Sequence, residues 1–362
     1  PVIWNVAIIG ALLMFGWRVE QSPLAEYAAW GSVIGSGLQF GVQLPTVLRL
    51  VRRLRPALDI ANEHVRTVIR NFFPVFMSRG VVQISAFVDS MLASFLPTGS
   101  VNALMYAQSL YTLPVSLFGM AVSAAELPAM SRATGSAEQV AEVLRHRLDE
   151  GLLRIAFFIV PSSMAFVALG DVIAAALYQT GKFTQAGSNY IWAILAGSTI
   201  GLLASTLGRL YSSTYYALHD TRTPLRYAIV RVALTTVLGY LFALPLPRLL
   251  GIDPKWGVAG LTASAGIAGW IEFALLRRTL NRRIGRTGLS APYVIKLWIA
   301  ALLAAGVGWT FKLLLGELHP IPLAAVVLGG YGVAYFALTF FLDISEARTV
   351  IGRILRLATI GR

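Results

Sequence analysis

The sequence has no cysteine. Disulfides and thiolate metal sites are excluded with it, and nothing about redox compartment can be read. Charge is nearly as scarce. Asp, Glu, Lys and Arg make up 13% of the 362 residues, about half the roughly 25% usual in soluble domains. A chain of this length with so few charged groups cannot cover itself with a polar skin in water. Hydrophobic residues make up 56% of it, and the mean hydropathy is +0.69. They come in blocks of about 20, the length that crosses a ~30 Å hydrocarbon core at 1.5 Å per residue. The expected fold class is an all-α polytopic membrane protein.

Ten spans are read, at 1–17, 27–48, 72–96, 101–126, 152–170, 187–212, 225–245, 257–276, 293–315 and 321–342. Three further stretches, Arg49–Asn71, Ala137–Leu153 and Ile344–Arg362, interleave charged and aliphatic residues, the pattern of helices lying in the interface. The chain opens at Pro1 inside an apolar run from Val2 to Trp17. No basic leader region or small-residue cleavage site accompanies that run, so it reads as the cut edge of a transmembrane helix rather than a signal peptide.

Acidic residues are the scarcer sign, 17 against 30 Lys and Arg. In a soluble domain that balance would point to nucleic acid. In a chain this apolar, positive-inside loops and anionic lipid head groups account for it, and no nucleic-acid partner is expected. With the first span running outward, 22 of the 30 basic residues fall on the inner side and five on the outer, namely Arg18, Lys182, Arg248, Lys255 and Lys312. Arg79, Arg209 and Arg231 lie in or at the ends of spans. The excess places the C-terminus in the cytoplasm.

Enzyme constellations are missing as well. His64, His146, His219 and His319 fall in loops or interfacial segments without paired ligand spacing, and no Asp-x-x-Asp pair stands at a span end. No metal, cofactor or catalytic residue is expected. Gly31, Gly35 and Gly37 lie in a span, where small residues more often permit close helix packing than form a phosphate loop.

What is present is a handful of ionisable groups at membrane depth, where they are costly and face a cavity or a partner. Asp89 lies amid Phe87, Val88, Met91 and Leu92. Arg79 precedes it by ten residues, about 15 Å of rise and 80° of rotation. The two therefore cannot pair directly, but they could line one polar cavity at different depths, with Gln83 and Ser85 between them. A structural hydrogen bond is the alternative for Asp89, and snorkelling is the alternative for Arg79 and Arg231. Snorkelling accounts for Arg209 near a cytoplasmic end, while Glu272 falls near the end of the eighth span. Pro114 interrupts the fourth span, and Pro45, Pro74, Pro128 and Pro161 sit at or near span ends. Broken helices are common at transporter sites; ordinary kinks, with the freed carbonyl satisfied by a neighbour, are the other reading.

Several short strings then carry a family resemblance. They include Gln43-Leu44-Pro45, Gln83-Ile84-Ser85, Leu113-Pro114 with Leu117-Phe118-Gly119-Met120-Ala121, Leu127-Pro128-Ala129-Met130-Ser131-Arg132, Tyr178-Gln179-Thr180-Gly181-Lys182-Phe183-Thr184, and Tyr215-Tyr216-Ala217 followed by Asp220-Thr221-Arg222-Thr223-Pro224. In order and spacing they resemble MurJ/MviN lipid II flippases along the whole chain. The resemblance implies a MOP-type exporter fold of fourteen transmembrane helices, of which this chain holds the fifth to the fourteenth. It divides the chain into 1–71 (last two helices of the N-lobe and an interfacial linker), 72–286 (the C-lobe bundle) and 287–362 (a C-terminal helix pair and amphipathic tail).

The function it implies is flipping of lipid II, an undecaprenyl-pyrophosphoryl disaccharide-pentapeptide, from the cytoplasmic to the periplasmic leaflet of a bacterial inner membrane. Alternating access of a basic cavity would carry the head group, and anionic lipids and other cell-wall synthesis proteins would be partners. Arg79, Gln83, Asp89, Ser109 and Arg231 would line the substrate cavity. Ser109 stands where the family's eighth-helix cavity arginine would be, so Arg79 is the expected substitute cation. Some members bind sodium through an Asp matching Asp89 and an Asn/Asp pair. Gly239 and Ala243 occupy the pair's positions and have no ligating side chain, which leaves Asp89 as a tentative ion or proton site. A sibling exporter of drugs or another polyprenyl-linked saccharide is the alternative, and a membrane-embedded polyprenyl-phosphate enzyme a more distant one.

Overall fold

The structure, a computed structural model, describes residues 2–17, 21–50, 65–66, 84–179, 183–316, 318–350 and 352. They fall in two compact units, Pro1–Arg70 and Asn71–Arg362. Seven of the helices are long and apolar enough to cross a membrane, and the chain is a multi-pass membrane protein.

The first unit is a hairpin of α1 (Val2–Phe15) and α2 (Gln21–Leu50). Gly31 and Gly35, one turn apart, set their contact. A Cβ at Gly31 would come within 2.9 Å of the Ala11 Cβ, and one at Gly35 within 2.9 Å of the Trp4 backbone. Small residues at this spacing let two backbones approach closely. Gly37 faces nothing and is not part of that contact. Helix α1 is shorter than the full span read at 1–17. Helix α2 fills the second span, and its glycines, serines and glutamines make it less apolar than the seven.

The second unit begins at α3 (Ile84–Ser94), the described part of the third expected span. It continues with α4 (Ser100–Pro114), a π-helical turn (Val115–Met120) and α5 (Ala121–Ser131). Then come α6 (Ala137–Tyr178), α7 (Gln185–Ala217), α8 (Arg222–Ala243), the short α9 (Pro245–Leu249), α10 (Gly257–Ile284), α11 (Ala291–Leu314) and α12 (Pro320–Phe341). Helix α7 is the hub, packing against α4, α5, α6 and α10. Helix α6 is one unbroken element of 42 residues, about 63 Å long. The expected interfacial helix at 137–153 and the span at 152–170 are therefore a single rod. A capping box at Ser136 and Gln139 starts it, and Gly151 accepts Leu210 of α7 where a break had been expected. The other two interfacial stretches lie almost entirely outside the described residues.

Helices α11 and α12 pack on the far side of α6. Pro161 has no N–H, so the Phe157 carbonyl one turn earlier loses its helical donor. The Tyr335 hydroxyl of α12 donates to that carbonyl at 2.7 Å, and Tyr331 donates to the Pro161 carbonyl at 2.7 Å. Two tyrosines one turn apart thus repair the proline lesion from the neighbouring helix. At the other end of the contact, Lys312 of α11 meets Asp171 of α6 at 2.6 Å. The same ammonium lies 4.5 Å from the Trp309 ring centroid, and that indole donates to the Ala168 carbonyl at 2.9 Å.

Between α7 and α8, the Asp220 carboxylate accepts from the N–H groups of Arg222 and Thr223, each at 3.0 Å, and from the Thr223 hydroxyl at 2.7 Å. Arg283 at the end of α10 reaches the same carboxylate at 2.7 Å. Burial works against this charge, but the Thr223 and Arg283 hydrogen bonds outweigh it and bring the Asp220 carboxyl down to about 2. The Asp-Thr-Arg-Thr-Pro string is therefore a clamp that starts α8 and ties it to α10.

Candidate substrate cavity

A cavity of about 530 Å³ opens among α3, α4, α7, α8 and α10. Asp89 enters from α3, Gln108, Ser109 and Thr112 from α4, Ser198 and Ser205 from α7, Arg231 from α8 and Thr262 from α10. Three of the five residues expected from the sequence, Asp89, Ser109 and Arg231, thus line one space. Arg79 and Gln83 lie outside the described residues.

Helix geometry explains the convergence. The floor is the crossing of α7 and α10 at Gly201 and Gly266, where a Cβ on Gly201 would sit 2.4 Å from the Gly266 Cα. Two side-chain-free positions let the backbones touch and leave space above them. On α4, Gln108, Ser109 and Thr112 share a face one turn deep, and the helix then passes through Pro114 into the π-helical turn. Such turns are frequent at functional sites.

The hydroxyls are arranged alike. Ser90 donates to the Ala86 carbonyl at 3.0 Å, Ser109 to Met105 at 2.9 Å, Thr112 to Gln108 at 2.8 Å and Ser198 to Ile194 at 3.0 Å. Each gives its proton to its own helix, so what remains free is acceptor lone pairs. Tyr111 and Ser205 bond each other across α4 and α7 at 2.8 Å.

Two charges stand among these groups. One Asp89 oxygen, Oδ1, is buried without a hydrogen-bond partner among the described residues. Arg231 donates from Nη1 to Oε2 of Glu272 at 3.2 Å. Its position nine residues into α8 corresponds to about 14 Å of rise. Both residues stood out in the sequence, but as separate groups; their pairing depends on the crossing of α8 and α10, which no local pattern reports. At the position expected for the second ion ligand, a Cβ on Gly239 would lie 2.8 Å from Leu261 and 3.3 Å from Leu92. Ala243 is buried. An Asn or Asp side chain at Gly239 has no room.

The model of the family described as "Lipid II flippase MurJ" matches residues 1–327. The chain belongs to the MurJ family. It is 30% identical over 281 residues to a probable lipid II flippase MurJ of Vibrio cholerae, covering 78% of this chain and 51% of that relative. With a lipid II flippase MurJ of Burkholderia cenocepacia it shares 28% identity, over 96% of this chain and 67% of the relative. A solved structure described as "Lipid II flippase MurJ, inward closed conformation" superposes with a TM-score of 0.74 at 22% identity, over 94% of this chain and 66% of that one. The likeness to the solved MurJ structure shows that the helices described above have the family's fold. The chain spans about half to two thirds of the length of these MurJ relatives.

Proposed function

We propose that this chain carries the C-lobe half of a lipid II flippase, a transporter rather than an enzyme, and that residues 72–286 form that lobe. The observation that carries the reading is the cavity itself. It holds a guanidinium, a carboxylate and a ring of hydroxyl acceptors at the depth where spans are otherwise apolar.

The chemistry fits the cargo. A pyrophosphate carried bare through hydrocarbon would cost several kcal/mol per charge or more. A cationic cavity lowers that barrier, and Arg231 offers a planar fork suited to two phosphate oxygens. The hydroxyl lone pairs suit the O–H and N–H donors of a sugar-peptide head group. About 530 Å³ is the volume of a drug-sized ligand, enough for one portion of that head group. The polyprenyl tail would stay in lipid near α11 and α12. Transport follows when the cavity opens to one side and then the other, driven only by differential affinity for the two states. Asp89 supplies a proton or cation site for that switch.

Cells of a bacterial inner membrane are the setting, with the C-terminus cytoplasmic as the 22-to-5 division of basic residues requires. Complementation tests the function. The complete gene product should restore growth and cell shape to bacteria depleted of their own lipid II flippase. Failure to do so, together with export of a drug or another polyprenyl-linked saccharide, would favour the sibling-exporter reading.

A further inference from the structure

Ser109 faces the cavity with a hydroxyl already bonded to its own helix, and Arg231 is held by Glu272. An anion entering this half of the molecule therefore meets one guanidinium, and that one is engaged. Arg209 of α7 changes this picture. Ser198, Gly201 and Ser205 line the cavity from α7, and Arg209 follows Ser205 by one turn. At 100° per residue these four positions fall within an arc of about 80°. Arg209 thus continues the cavity face of its helix.

Its surroundings agree. The charges that reach its guanidinium are those of Arg231 and Glu272, together with the Tyr111 hydroxyl, and Arg231 and Tyr111 are cavity residues. Among the described residues no carboxylate lies within ion-pair distance of Arg209, whereas Glu272 stands 3.2 Å from Arg231. The Arg209 side chain is exposed, so a ligand can reach it. It also lies eight residues before the end of α7, about 12 Å along the axis, which is deep for a side chain whose only task is to snorkel.

We propose that Arg209 is the phosphate-facing cation of this half of the cavity, filling from α7 the role left vacant at Ser109 on α4. Glu272 then acts as a placeholder: it neutralises Arg231 when the cavity is empty and yields it when a pyrophosphate arrives. Arginine fits because its fork holds two phosphate oxygens at once. This inference rests on the flippase reading and names the residue that grips the anion.

The test is binding of undecaprenyl pyrophosphate and of uncharged undecaprenol to the complete gene product in nanodiscs. The unmodified protein should prefer the pyrophosphate lipid. Arg209→Gln should weaken that lipid at least tenfold and leave the neutral one unchanged, a selectivity that a merely structural arginine would not show. Arg209→Lys, which keeps the charge and loses the fork, should weaken it several-fold and covers the case in which the glutamine variant does not fold. Adding Ser109→Arg to Arg209→Gln should restore the preference. If the unmodified protein prefers the pyrophosphate lipid and both Arg209 variants keep that preference undiminished, Arg209 is not the gripping cation and the flippase reading stands. If the unmodified protein shows no preference, the flippase reading fails and this inference fails with it.

Discussion

Arg231 of α8 and Glu272 of α10 meet at 3.2 Å inside the bundle. Glu272 is the more buried, with 14% of its side chain exposed against 37% for Arg231. Removing either partner leaves a charge in a poorly solvated site. Loss of one member of a fully buried pair costs about 3–5 kcal/mol, and the partial exposure of Arg231 reduces this to about 1–3 kcal/mol. Arg231→Ala and Glu272→Gln should both lower the melting temperature of the purified protein. The double change Arg231→Met with Glu272→Leu should recover most of that stability and none of the transport. Full transport by the double variant would make the pair purely structural.

Asp89 contributes an unpartnered carboxylate oxygen to the same cavity. Asp89→Asn keeps the shape and removes the charge. It should cut lipid II flipping by tenfold or more while the melting temperature holds or rises, because a buried ion becomes a neutral amide. Normal flipping in this variant would reduce Asp89 to a buried polar residue.

Asp220 predicts a pH signature. Its carboxyl is held at about 2 in the folded protein, below the roughly 3.9 of an unfolded chain. A depressed folded-state value means the stabilisation is fully present above about pH 4 and is lost as pH falls toward 2. After allowance for solvent screening it is worth about 1 kcal/mol. Asp220→Asn should be less stable than the parent at pH 6, and the gap should close as melts are taken toward pH 2. A gap that stays constant with pH would contradict the clamp at Thr223 and Arg283.

Pro161 and Tyr335 form a testable couple. Tyr335→Phe orphans the Phe157 carbonyl and should cost about 1–3 kcal/mol. In a Pro161→Ala background the restored N–H serves that carbonyl, and Tyr335→Phe should then cost markedly less. Equal costs in the two backgrounds would mean the tyrosine hydroxyl does not repair the proline site.

Much of this was legible in the sequence, and what was not has physical reasons. Block length gave the helices, because crossing hydrocarbon leaves little freedom in length or composition. Asp89 and Arg231 stood out because a charge at depth needs a purpose, and Gly31 and Gly35 because small residues one turn apart mark a helix contact. The continuous α6 was not legible: its amphipathic start and apolar continuation look like two elements unless Gly151 is known to receive Leu210. Nor was the Asp171–Lys312 pair, whose members are 141 residues apart. Arg209 was read as a snorkelling end group, although its spacing from Ser198, Gly201 and Ser205 carried the signal. What was missing was the knowledge that this face looks into a cavity.

The account's central claim is that a pyrophosphate head group crosses the membrane through this protein. It is tested most directly with lipid II labelled by a fluorophore on its head group and the complete gene product reconstituted in proteoliposomes. A membrane-impermeant quencher added outside reaches only the outer leaflet in protein-free vesicles. The account predicts that the quenched fraction rises from about half toward completion with the protein present, and returns toward half with Arg209→Gln. A quenched fraction that stays at the protein-free level would contradict it.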